Sequence, residues 1–126
     1  MYGVLLIAHG NKKSKAVDIM EAIAGDVAAL LPDAHVEYGF IWQSSNDFGR
    51  IFQKFDEQAL DEIIIMPYFL FDGVHVTQTI RAIADEFSAL YPQKRIVVTR
   101  QLGVDKRLAE IAVDRILERK KSEDGL

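Results

Sequence analysis

Two of the chain's three histidines stand where apolar runs break off. His9 closes the run in GVLLIAHGNKK (residues 3–13) and is followed at once by Gly10 and a basic cluster. His75 comes after IIIMPYFLFDGVH (residues 63–75), two positions beyond Gly73. Imidazole near neutral pH is a general base and a ligand for first-row divalent metals. Two imidazoles fall short of the roughly four protein ligands of a closed structural zinc site, so a pair with open positions suits a metal that is handed on. Lys12, Lys13 and Lys15 follow His9, with Arg50, Lys54 and Arg81 as further candidates for the same rim. Lysines at a helix start oppose the macrodipole, and an anionic partner would offset that cost. The pattern therefore favours an acidic ligand beside a metal. Gly10 would permit a positive φ or a close approach to backbone. The stretch PYFLFDGV (residues 67–74) would give a flat ligand an apolar wall, although Phe69 and Phe71 read first as packing residues. His35, ahead of a strand, reads as structural. Trp42 either closes a pocket or fills space.

The elements around these residues alternate. Apolar, branched runs at 2–8, 34–40, 62–67 and 94–102 read as strands, the first and third buried on both faces. Between and after them, apolar residues recur at helical spacing over 13–32, 45–59, 75–92 and 105–121. Pro32 ends the first helix and Ser45 or Asn46 would cap the second. Residues 122–126 read as a frayed tail. Such alternation specifies an α/β domain, 1–126, with a flavodoxin-like four-stranded parallel sheet in the order 2-1-3-4 and helices on both faces. Ligands of open parallel sheets bind beyond the carboxyl ends of the strands, where the winding switches direction. In this order the switch falls between strands 1 and 3, which brings His9 and His75 to one crevice.

Composition narrows the function classes. The chain has 126 residues, a net charge of −4 and no cysteine. One domain of this length builds a core without staples. Disulfides, thiolate ligands and cysteine nucleophiles are excluded, and a cytoplasmic location is expected. The acidic balance argues against nucleic acid held through a basic surface. No apolar run reaches the roughly 18 residues of a membrane span, and the first residues lack the pattern of a signal peptide.

The stretches LLIAHGNKK, IIIMPYFLFDGVHV and RQLGVDKRLAEIAVDRI together resemble the small CbiX-type class II chelatases. These are sirohydrochlorin cobaltochelatases and nickelochelatases, related to the sirohydrochlorin ferrochelatase. The resemblance implies a lyase that inserts a divalent metal, Co²⁺, Ni²⁺ or Fe²⁺, into sirohydrochlorin, an octacarboxylate tetrapyrrole. The metal would be substrate, with no tightly bound cofactor, and the enzyme would be a homodimer. The family's catalytic and metal-binding histidines fall on His9 and His75. Substrate contacts are implied for Gly10, Asn11, Lys12, Ser45, Leu70, Phe71, Asp72, Gly73 and Val74. The family usually reads HGS where this chain has HGN, and a glutamate where it has Trp42. Two other readings stand beside this one: a non-catalytic tetrapyrrole- or metal-binding relative, and phosphoryl transfer through a histidine. The second would want an arginine where Ala8 stands.

Overall fold

The computed structural model describes residues 1–10, 15–71 and 73–125, so Asn11, Lys12, Lys13 and Asp72 lie outside the described residues. The elements are β1 (Tyr2–Ala8), α1 (Ala16–Leu30), β2 (Ala34–Phe40), α2 (Ser45–Glu57), β3 (Glu62–Tyr68), α3 (Val74–Leu90), β4 (Arg95–Val98) and α4 (Lys106–Gly125). The strands form one sheet in the order β2-β1-β3-β4, with every pairing parallel. Ala8 is level with Phe40 on one side and Tyr68 on the other, so three strands end flush.

The two-residue period of a strand divides the core between the two faces. Leu5, Ile7, Ile63 and Ile65 point to one side and are fully buried beneath α2 and α3. There Phe48, Phe52 and Phe55 of α2 meet Phe87 of α3, and the rings of Phe52 and Phe87 stack at 4.3 Å. Each such side chain contributes about 1.5–3 kcal/mol by leaving water. Val4, Leu6 and Ala8 point to the other side, against Met20 and Ala24 of α1 and against Phe40.

Most element ends shift by one to four residues from the sequence reading, and three of the differences have a clear physical cause. The cap of α2 is Ser44, ahead of both candidates: its hydroxyl accepts from the Asp47 N–H, and Asp47 accepts from the Ser44 N–H at 3.0 Å. This reciprocal box satisfies two backbone donors that neither Ser45 nor Asn46 could pair with an acid three residues on. β4 stops at Val98 instead of running to 102. After Thr99 donates to the Ile65 carbonyl the chain turns away, and Gly103 takes a φ of 61°, which favours glycine. Finally, α4 continues to Gly125, through residues read as a tail. It covers neither face: none of residues 106–122 is buried, and only Leu108 is half-buried. No helix among the described residues is long and apolar enough to cross a membrane.

Candidate functional site

Both singled-out histidines stand at the carboxyl-terminal edge of the sheet. His9 directly follows Ala8 of β1, and β1 pairs with β3 up to Tyr68. Phe69, the first residue after that strand, meets the His9 ring edge-on with centroids 6.1 Å apart. His75 is the second residue of α3, the helix that leaves the end of β3 after a short loop. Both are exposed. Among the described residues neither imidazole has a hydrogen-bond or ion-pair partner; the hydrogen bond recorded at His75 is to its carbonyl, from the Thr79 hydroxyl at 2.8 Å.

Gly10 owes its place to close packing. A Cβ there would lie 2.8 Å from that of Ala16 and 3.3 Å from a ring carbon of Phe40. The small residue thus lets the chain pass between the start of α1 and the end of β2 while His9 stays at the edge. Trp42 stacks on the outer side of Phe40, centroids 5.5 Å apart and planes 4° from parallel. The tryptophan is therefore a cover for the aromatic wall beside Gly10, which joins its two sequence readings.

The loop into α3 is apolar and outward-facing. Leu70, Phe71 and Val74 are exposed, Phe71 to 83%, so the packing role read for Phe71 is not what it does. Phe69 does pack against the core. Gly73 caps α3 in an extended conformation with no side-chain hydrogen bond, and the first turn carries no acid. The first N–H groups of the helix are left without intrahelical acceptors and carry the positive end of its dipole. A cavity of about 220 Å³ opens beside this turn, between β3, α3 and the end of β4. Phe69, Phe71, Thr77, Arg81, Arg100 and Gln101 are among its lining residues. Neither histidine lines it. It shares Phe69 with the surroundings of His9, and the first turns of α3 with those of His75.

Of the basic residues expected at the rim, Arg81 is there. Lys54 is instead bound to Glu37 at 3.5 Å, and Arg50 to Asp47 at 2.9 Å. Ser45 sits where α2 meets α3: its hydroxyl donates to Glu86. That acid lies eleven residues beyond His75, about 16 Å along the helix, so Ser45 is not brought to the turn that carries His75. Arg100 and Gln101 were missed because 94–102 read as one strand; the polar run Thr99–Arg100–Gln101 after Val97–Val98 was the available signal. His35 bears out its structural reading. Its Nε2 is 2.5 Å from Glu37, and its ring meets Phe55 edge-on. Among the described residues no group of three or more histidine or acidic side chains could enclose a metal ion. Among the described residues the edge offers imidazoles, helix N–H groups without intrahelical acceptors, and arginines, which are groups of the kinds that bind cations and acids.

Comparison with known proteins identifies the family of the chain. The profile of the CbiX family matches residues 3–119. The chain is 32% identical over 120 residues to the sirohydrochlorin cobaltochelatase of Sulfurisphaera tokodaii, covering 94% of this chain and 93% of that protein. It is 27% identical to the sirohydrochlorin cobaltochelatase of Methanopyrus kandleri, covering 94% and 96%. It also matches the sirohydrochlorin ferrochelatase of Priestia megaterium at 27% identity, where it spans 94% of its own length and 44% of the relative's. Among solved structures, the CbiX protein from Marinobacter aquaeolei VT8 superposes with a TM-score of 0.77 at 19% identity, over 97% of this chain and 99% of the other. With the family profile spanning nearly its whole length and relatives aligned from end to end, this chain belongs to the CbiX family.

Proposed function

We propose that this protein inserts a divalent metal ion, cobalt first among the candidates and nickel or iron beside it, into sirohydrochlorin. The observation that carries the reading is the end-to-end match to relatives named sirohydrochlorin cobaltochelatase. Insertion exchanges one dication for two pyrrole N–H protons. It therefore needs a base for the protons and a ligand for the metal as it sheds water. In this reading His9 takes up pyrrole protons and contacts the incoming metal, and His75 completes the metal's passing coordination. Two imidazoles hold a dication loosely enough for the macrocycle to win it. The open start of α3, with Arg81 and Arg100, receives carboxylates of the macrocycle. Leu70, Phe71 and Val74 lie against its apolar plane. Gly10 and Gly73 let ring and backbone come close, and Asn11, Lys12 and Asp72 belong to the same contact set. The metal is substrate, and the exchange of a dication for protons needs neither a nucleotide nor a redox cofactor. We place the enzyme in the cytoplasm, as a homodimer.

The test is anaerobic incubation of the protein with sirohydrochlorin and Co²⁺, Ni²⁺ or Fe²⁺, followed by absorbance. Insertion faster than in the metal-only control is expected for at least one ion. No acceleration with any of the three contradicts the proposal. Tight stoichiometric binding of tetrapyrrole or metal without turnover would make the protein a carrier and not a chelatase.

A further inference from the structure

The cavity between β3, α3 and the end of β4 holds positive charge that nothing in the described protein answers. Arg81 and Arg100 both line it, and among the described residues no acid does. Arg50, Arg95, Arg107 and Arg115 each have a carboxylate oxygen within 3.3 Å. The guanidiniums of Arg81 and Arg100 have no hydrogen-bond or ion-pair partner among the described residues. Asp105 feels the charge of Arg100 but is taken by Arg107, whose backbone N–H and guanidinium donate to it at 2.8–2.9 Å.

The two arginines come from distant parts of the chain, and each stands on a fixed support. Arg81 shares one face of α3 with Thr77, four residues before it, and with the buried Ile80. Arg100 lies just past β4, on a segment pinned at both ends. The Thr99 N–H donates to the Ile65 carbonyl at 2.9 Å, and the Leu102 N–H donates to the Phe69 carbonyl at 3.0 Å. Between those bonds the half-buried Gln101 lines the same cavity. Size decides what can enter. The volume of about 220 Å³ falls below the roughly 300–1,000 Å³ of sites that enclose a drug-sized ligand. A macrocycle is too large for it, and a single short acidic arm is not. Ile80 and Val98 offer an apolar floor for methylene groups, and the guanidiniums, the Thr77 hydroxyl and the Gln101 amide offer donors for a carboxylate.

The cavity is also set apart from the imidazoles. Arg81 follows His75 by six residues, about 9 Å along α3, and at 100° per residue His75 falls off the face that carries Thr77 and Arg81. Phe69 is the wall between them: it lines the cavity, and its ring meets that of His9 edge-on at 6.1 Å. Such a separation suits a ligand that takes its metal at the centre of a ring and carries its acids on arms at the rim. We infer that the cavity anchors one carboxylate arm of the tetrapyrrole, gripped by Arg81 and Arg100 together, and that this grip governs affinity for the macrocycle without acting on the metal.

The anchor presupposes a sirohydrochlorin chelatase, and the experiment tells a failure of that reading from a failure of the anchor. Metal-free sirohydrochlorin is titrated into wild type, Arg81→Gln, Arg100→Gln, the double variant and Arg95→Gln, with absorbance as the readout. Both cavity arginines are exposed, so their loss leaves the core intact. Each single cavity variant should bind about tenfold more weakly or worse. Arg95→Gln removes the same charge at the opposite edge of the sheet and should bind as wild type does. Because both arginines grip one carboxylate, the double variant should lose clearly less than the product of the two single losses. In turnover the KM for sirohydrochlorin should rise in step, with the KM for Co²⁺ unchanged. A wild type that does not bind sirohydrochlorin contradicts both readings. Equal binding by all variants, or an equal loss in Arg95→Gln, overturns the anchor alone. Losses that multiply would put two arms on two arginines and overturn the shared grip. Propionate, followed through the amide resonances of Thr77 and Gln101, separates an arm from a free acid. If propionate binds wild type and not the double variant, while sirohydrochlorin binds both equally, the cavity serves a small free acid and the anchor is again overturned.

Discussion

At the amino-terminal edge of the sheet, His35 lies 2.5 Å from Glu37, and Lys94, its side chain 1% exposed, donates to the Leu60 carbonyl at 2.8 Å and pairs with Asp56 at 3.0 Å. At the carboxyl-terminal edge, His9 and His75 are exposed, and their rings have no polar partner among the described residues. The same residue type thus meets two fates in one sheet. Where the polar groups are consumed within the protein they stabilise it, because a buried donor left unmatched is costly. Where they are left unmatched at the rim, their bonding capacity is available to something from outside. The placement of the arginines repeats the contrast: Arg95 is bound to Glu62 at 2.9 Å near the first edge, while Arg81 and Arg100 line the cavity at the second.

The contrast can be broken from either side. The largest effect is expected at the open edge. His9→Ala and His75→Ala should each slow metal insertion by about a hundredfold or more, the usual loss on removing a proton-transfer group, with thermal unfolding unchanged. His35→Ala should leave insertion intact. A His35 variant as inactive as the other two would erase the distinction. At the closed edge, Lys94→Ala removes a buried cation from its carbonyl and carboxylate, and should cost about 2–4 kcal/mol in urea unfolding. Its folded molecules should retain full insertion activity.

Gly10→Ala joins the two edges' logics, since the new methyl would crowd Ala16 and Phe40 right beside His9. A loss of about 1–3 kcal/mol is expected, together with slower insertion because His9 is displaced. The smallest effect is at the α2 cap. Ser44→Ala should cost about 1 kcal/mol near neutral pH. Hydrogen bonds from Ser44 and the nearby Arg50 hold the Asp47 carboxyl below the usual carboxylate range. A depressed acid stabilises the fold above its unfolded pKa, about 3.9, and loses that contribution as pH falls through the folded value. The stability gap between wild type and Ser44→Ala should therefore narrow as pH drops below about 4.

Much of this was legible in the sequence where local pattern and topology suffice. The apolar runs fixed on β1 and β3, the phenylalanine face of α2, and the rule placing ligands at the switch point led to His9 and His75 without any contact being known. What escaped depended on partners distant in the chain. The burial of Lys94 is set by Leu60 and Asp56, more than thirty residues away, and nothing in KRIVV announces it. Lys54 looked like a rim cation because its helix position does not reveal Glu37 on a neighbouring strand. The true end of β4 was hidden by a run whose side chains suit a strand for longer than it has a partner to pair with. Helix α4 was read correctly as a helix, but periodicity says which face seeks cover and not what supplies it. The Ser44–Asp47 box was visible as a spacing and was overlooked.

Cobalt titration of protein labelled with ¹⁵N-histidine compares the two edges most directly, since Co²⁺ broadens the resonances of imidazoles that bind it. The account predicts that His9 and His75 broaden together, at one shared stoichiometry, while His35 stays sharp beside Glu37. Broadening of His35 in parallel with the others, or of His9 and His75 at separate stoichiometries, would contradict the claim that the open edge is a single metal-handling site.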